Sequence, residues 1–165
     1  MSALQPLATL PPAEVEALLD AAFGTDRHRR TAYRVRVGLR PIDALSFAWV
    51  EGGRLTGCIQ CWPVQLNADD GQVAPMVMVG PVAVAPDRQN TGIGRRLMAE
   101  SIAAAGGDAP LMLIGDPEYY GQFGFGAQRT GGWRMPGPYE QRRLLARGTV
   151  PAWSGMMGPR VALPA

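Results

Sequence analysis

Apolar residues recur at Val15, Leu18, Leu19, Ala22 and Phe23, with acids opposite, so Pro11 to Phe23 predicts an amphipathic helix. A second, more basic helix is expected from Arg27 to about Val37. The pattern then changes. Ala44 to Val50, the turn Glu51-Gly52-Gly53-Arg54, and Leu55 to Leu66 read as strand, tight turn and strand. Asn67 to Gly71 is another turn, returning the chain into a strand from Met76 to Ala85. Residues 92–105 regain the helical period, with Ile93, Leu97, Met98, Ile102 and Ala105 on one face. Leu111 to Ile114 is wholly apolar, as a buried strand is. A short helix should follow, with Asp116 as its cap, Pro117 in its first position and Glu118 at the positive end of its dipole. From Gly131 the chain is rich in Gly and Pro, with one strand-like piece from Gln141 to Ala146. There are no repeats and no evident linker. Helices first, then a run of strands, then alternating helix and strand predict an α/β or α+β domain around one mixed sheet.

Composition narrows the chemistry. A chain of 165 residues, 47% hydrophobic and 18% charged, has room for a core and is expected to fold as one domain. A net charge of +2 gives no electrostatic case for nucleic acid. No apolar run approaches the roughly 20 residues of a membrane helix, and the first residues lack a signal-peptide pattern. A cytoplasmic location is the expectation. All 16 basic residues are arginine, which excludes a P-loop lysine, a Schiff-base lysine and a lysine general base. The single histidine, His28, lies in the charged stretch Thr25 to Arg30 and reads as part of a solvated helix face. Catalysis must then rest on Tyr, Asp, Glu, Cys, Ser or backbone amides. Cys58 and Cys61 form a C-x-x-C, but within a strand, where residues three apart point to opposite faces. No second Cys/His pair completes a zinc set, so no metal site is expected.

The segment Pro86 to Met98, PDRQNTGIGRRLM, carries the most specific signal. Two glycines in a helix's first turn weaken it, and they suggest that something must approach the backbone closely. Helix N-termini with open amides bind anions, most often phosphates. A P-loop needs a lysine, and the chain has none. A Rossmann turn needs a third glycine where Leu97 stands, and it does not admit the five residues Asp87 to Thr91 before Gly92. The pattern Q/R-x-x-G-x-G/A is met by Gln89-Asn90-Thr91-Gly92-Ile93-Gly94. Here the chain resembles the GNAT superfamily of acyl-CoA-dependent N-acyltransferases. The likeness continues upstream in Val84-Ala85-Pro86 and downstream in Asp116 to Phe125, which is similar to the family's Y-x-x-x-G-F segment. Residues 76–125 carry it strongly, and residues 44–66 agree in layout alone.

The resemblance implies one N-acetyltransferase domain over residues 1–165, with a mostly antiparallel mixed sheet, splayed central strands and flanking helices. It implies acetyl-CoA as cosubstrate. The pyrophosphate would be held by Gln89, Asn90, Thr91, Gly92, Ile93, Gly94 and Arg95, and the pantetheine arm by main-chain groups of Val82, Ala83 and Val84. Pro81, which cannot donate to a strand ladder, fits the splay. Arg88, Arg95 and Arg96 either add charge toward the nucleotide or are solvated. Tyr120 is implied as the acid that protonates the leaving thiolate, and Tyr119 as a packing neighbour. No base is assigned. The acceptor would be a primary amine of a small molecule or peptide, with loops 24–43, 63–75 and 131–140 setting its identity. Trp62, Trp133 and Tyr139 either line that pocket or pack. Neither nucleic acid nor membrane is expected as a partner, and a homodimer is left open. The alternatives are a non-catalytic coenzyme A-binding regulatory module and an acyltransferase that uses a longer acyl donor.

Overall fold

The computed structural model describes residues 2–160. The chain opens on a strand, β1 (Ser2–Pro6), which the sequence pattern does not announce. One 3-10 turn later comes α1 (Pro12–Phe23), with Pro12 in its first turn and Val15, Leu18 and Leu19 buried. The helix expected over 27–37 is broken in two. Arg27–Arg29 forms a 3-10 turn, Arg30 is extended (ψ 146), and α2 covers only Thr31–Val35. The reason lies in the partners at each end. The Arg27 guanidinium is buried and donates to Glu16 and Asp20 on α1. Thr31 and Arg34 instead donate to the carbonyls of Pro138 and Pro136.

Next come β2 (Phe47–Glu51), β3 (Arg54–Ala68) and β4 (Val73–Val84). The expected start of β2 at Ala44 is instead a 3-10 turn, Asp43–Leu45. Ser46 ends that turn: its hydroxyl donates to Ile42 O (2.8 Å) and accepts from Cys61 N–H (3.1 Å). Then follow α3 (Ile93–Ala105), β5 (Leu111–Ile114), α4 (Pro117–Tyr120), β6 (Trp133–Arg134), β7 (Leu144–Arg147) and β8 (Gly155–Pro159). The strands form one mixed, eight-stranded sheet with the path β1-β2-β3-β4-β5-β7, and β8 pairs with both β3 and β6.

By its internal contacts the chain divides into two units, and the long strands β3 and β4 contribute residues to both. The first comprises the described residues up to Arg29, with Pro41–Cys61 and Val79–Gly107. In it β1 runs antiparallel to β2 (Ser2↔Glu51 to Pro6↔Phe47), and β2 antiparallel to β3, with a bulge at Trp49/Val50. Leu7, Val15, Leu18, Leu19, Ala48, Leu55, Cys58 and Ala83 form its core. The second comprises Arg30–Arg40, Trp62–Met78 and the described residues from Asp108. Here β8 pairs antiparallel with the end of β3 (Val64↔Pro159 to Ala68↔Gly155), and β5 antiparallel with β7. The parallel pairing of β4 with β5 is confined to Val77↔Leu111 and Met78↔Met112. Beyond that point β4 continues through a cis Gly80-Pro81 bond to Val84. Trp62, Val64, Leu66, Met76, Met78, Met112, Trp133, Leu144 and Met157 form the second core.

Candidate active site

The glycine turn lies in the first unit. After β4, Pro86–Arg88 makes a 3-10 turn, and the chain then passes through two left-handed residues, Asn90 (φ 63) and Gly92 (φ 89). Gly92 caps α3, and here glycine is required, because side chains other than Asn and Asp rarely tolerate that conformation. No side chain caps the helix. The first helical hydrogen bond runs from Arg96 N–H to Gly92 O (3.1 Å), so the amides of Ile93, Gly94 and Arg95 come before any intrahelical acceptor. Gln89, Asn90, Thr91 and Arg95 are exposed around them, while the Ile93 side chain is buried. A set of open amides at the positive end of a 13-residue helix suits an anion of pyrophosphate type. On β4, the Ala83 side chain is buried in the first core, and Val82 and Val84 are half-buried.

The arginines near the turn have distinct fates. Arg88 is held by Glu51, through Nε to Oε1 and Nη2 to Oε2, both at 2.9 Å. Its charge is therefore engaged on the protein and not directed at a ligand. Arg96 lies over the Trp49 ring, 5.3 Å from its centroid. Arg95 is exposed, its Nη2 close to where a Cβ on Gly92 would sit (3.8 Å).

Tyr120 lies in the second unit, at the end of α4. Its ring packs edge-on against Tyr119 (4.9 Å between centroids) and Phe125 (6.3 Å). It also covers Gly115, where any Cβ would overlap the ring edge. Burial raises the phenol above its ordinary value of 10.0, helped by Tyr119 and Asp116 and opposed by Arg143. The hydroxyl is thus kept protonated, as a proton donor must be. Asp116 does not cap α4 with its side chain, contrary to expectation. Its carboxylate accepts from Arg143 Nε (3.1 Å), and Glu118 accepts from Arg142. The Glu118 carboxyl is lowered, by its own backbone amide first and by Arg142, which makes it a weaker base.

Other expectations resolve into packing. Trp133 is wholly buried and donates through Nε1 to Pro151 O (3.2 Å), and the Tyr139 hydroxyl donates to Trp133 O (3.3 Å). Trp62 belongs to the same core, with the Arg36 guanidinium 4.3 Å from its ring centroid. The span 63–75 is mostly paired strand, not loop. Cys58 and Cys61 are buried on β3, and desolvation pushes both thiols up to about 12. His28 is exposed, on a 3-10 turn where a helix face was expected. Among the described residues, no group of three or more His, Cys, Asp or Glu is placed to hold a metal ion.

A family model described as an acetyltransferase (GNAT) domain matches residues 12–127, which include both the glycine turn and Tyr120. The chain belongs to the GNAT acetyltransferase family. An uncharacterized N-acetyltransferase of Streptomyces avermitilis is 30% identical over 119 residues, covering 69% of this chain and 27% of that protein. The uncharacterized N-acetyltransferase YhbS of Escherichia coli K12 is 27% identical over 119 residues, covering 67% of this chain and 65% of YhbS. The chain thus matches about a quarter of the Streptomyces relative's length and just under two thirds of YhbS. Among solved structures, YhbS in complex with CoA superposes with a TM-score of 0.71 at 19% identity, covering 97% of this chain and 89% of that one. A Brucella melitensis GNAT acetyltransferase in complex with acetyl-CoA gives 0.54 at 26% identity, covering 88% and 95%. The likeness to YhbS in that superposition is one of fold.

Proposed function

We propose that this GNAT family member is an N-acetyltransferase, acting as one domain in the cytoplasm, that moves the acetyl group of acetyl-CoA to a primary amine. The observation that carries the reading is the turn from Gln89 to Gly94. Its left-handed Asn90 and Gly92 leave the amides of Ile93, Gly94 and Arg95 open at the start of α3. Support comes from relatives named as N-acetyltransferases and from the Brucella neighbour, which binds acetyl-CoA. Among the described residues, no helix is long and apolar enough to cross a membrane.

In this reading acetyl-CoA supplies an acyl thioester open to attack. The backbone amides of residues 93–95 hold the pyrophosphate, and main-chain groups of Val82 and Val84 align the pantetheine arm. A neutral amine forms the new C–N bond as the C–S bond breaks. Tyr120 gives its phenolic proton to the departing thiolate, and the excess proton on nitrogen leaves to water. Burial holds the phenol above its ordinary range, so it keeps its proton until the thiolate forms. The acceptor is an amine on a small molecule or a peptide. A plant neighbour of the same fold, Naa50 of Arabidopsis thaliana, was solved with a bisubstrate analogue that joins CoA to a peptide.

The test is binding followed by turnover. At about 100 times its dissociation constant, acetyl-CoA should stabilise the protein by roughly 2.7 kcal/mol, readily seen as a rise in Tm. Gly94→Val should abolish that rise, since Gly94 lies in the first turn of α3 with helical backbone and a branched side chain there crowds the anion. Release of free thiol from acetyl-CoA across a panel of amines then identifies the acceptor. A folded protein whose Tm ignores millimolar acetyl-CoA would overturn the proposal. Binding without thiol release would indicate a non-catalytic module, and release only from longer acyl thioesters a different donor.

A further inference from the structure

We propose that the Glu51–Arg88 ion pair, with Arg54–Asp87 beside it, is a positioning brace that fixes the shape of the Gln89–Gly94 turn and thereby sets its affinity for the coenzyme A pyrophosphate. This rests on the reading of that turn as the acetyl-CoA site.

Four residues make the brace, two from each side. Glu51 and Arg54 flank the Gly52-Gly53 tip of the β2–β3 hairpin, and Asp87 and Arg88 end the 3-10 turn before Gln89. The pairs cross. Arg54 forks onto Asp87 (Nη1 to Oδ2, 2.8 Å; Nη2 to Oδ1, 2.7 Å), and Arg88 forks back onto Glu51, both bonds at 2.9 Å. Glu51 is further fixed by the hydroxyl of Thr56 (2.9 Å to Oε1), a buried residue whose carbonyl accepts from Ala85 N–H (2.8 Å). From Arg88 the constraint passes into the turn itself, because Thr91 Oγ1 donates to Arg88 O (2.6 Å). The chain between them contains one left-handed residue, Asn90, and Gly92 follows directly with another. Such conformations persist where their surroundings over-determine them.

Stability is not the point of this arrangement. The Arg54–Asp87 side chains are more than half exposed, and exposed pairs add little to folding free energy. A planar guanidinium docked by two parallel bonds fixes direction, which one flexible point charge cannot. The pairing has a second effect. Two carboxylates stand beside a turn meant for an anion, Asp87 from the preceding 3-10 turn and Glu51 from the hairpin through its bond to Arg88, and each is matched by an arginine.

The experiment measures acetyl-CoA binding and steady-state turnover for Glu51→Ala, Arg88→Met and the double variant, with 15N order parameters of Asn90 to Gly92 in the free protein. Each single variant should raise the dissociation constant and the acetyl-CoA KM about tenfold, with saturated kcat within about twofold. The double variant should be no worse than either single one, because the pair acts as a unit. Arg88→Lys should fail to restore affinity, while Glu51→Gln should restore part of it through its remaining acceptor. The order parameters should fall in every variant that breaks the fork. Unchanged or tighter binding would sink the brace, tighter binding meaning that Arg88 is merely held away from the ligand. Additive losses would also overturn it. If the wild-type protein binds no acetyl-CoA, the functional reading fails, and the order parameters alone decide whether the pair fixes the turn.

Discussion

Tyr120 stands where α4 ends, its ring laid on Gly115 and edged by Tyr119 and Phe125. Tyr120→Phe keeps that packing and removes the phenolic hydroxyl that would donate the proton, so kcat should drop about 10²–10⁴-fold with acetyl-CoA affinity nearly unchanged. Tyr119→Phe is the control and should cost little. The pH profile adds a second readout. Because burial raises the phenol, the proton is retained below its ordinary value of 10.0 and lost only above it. Wild-type kcat should therefore hold through pH 9 and decline only above about pH 10, a limb absent in Tyr120→Phe. The tyrosine's place was legible from Y-x-x-x-G-F. The glycine beneath it was not, since nothing in the spacing of Gly115 and Tyr120 says that a ring folds back onto the backbone. The pairing of Arg88 was not legible for a related reason. Its partner, Glu51, is 37 residues away, and it reaches the turn because β2 pairs with β3 and the Thr56 carbonyl on β3 accepts from Ala85 N–H.

Elements were readable where burial imposed a period. α1, α3 and β5 fall within a residue of their expected limits, because each buries an apolar face or run. β1, β6 and β8 escaped because they lack one. Ser2–Pro6 ends in proline, Gly155–Pro159 holds two glycines and a proline, and Trp133–Arg134 is too short to alternate. Their assignment rests on register with distant strands, such as Gly155 against Ala68. β3 shows the opposite case, since its C-x-x-C catches the eye yet both thiols are buried and raised to about 12. Native protein at pH 7–8 should accordingly react negligibly with a thiol reagent, and denatured protein should release two equivalents. The sign for stability follows. A thiol whose folded value lies above its unfolded one of about 9 favours the fold fully below pH 9. That contribution is lost as pH climbs from 9 toward 12, and chemical denaturation midpoints should fall across this window. Two rapidly modified thiols in the folded state would contradict the burial.

Across the whole molecule, family membership was legible from one 50-residue stretch, while the acceptor was not. Of the segments expected to encode it, 63–75 is mostly paired strand, and Trp133 within 131–140 is buried in the core. Amine recognition depends on shape assembled from separate parts of the chain, which no local pattern spells out. Charge placement is the other long-range property. Ion pairs on Glu51, Asp87, Asp116 and Glu118 all take arginine as the cation, near the two segments assigned to cofactor and catalysis. With 16 arginines and no lysine, the chain carries no side-chain amine at all. An acetyl donor held at high local concentration is a slow poison for ordinary proteins, because thioesters acylate exposed lysines without any enzyme's help. Here every cation that steadies the site is a guanidinium, protonated at any physiological pH and a poor nucleophile. Peptide mapping after days in millimolar acetyl-CoA should find no side-chain N-acetylation, with activity undiminished. In the proposed reading, the forks beside the Gln89–Gly94 turn are made of the one basic group that acetyl-CoA leaves alone.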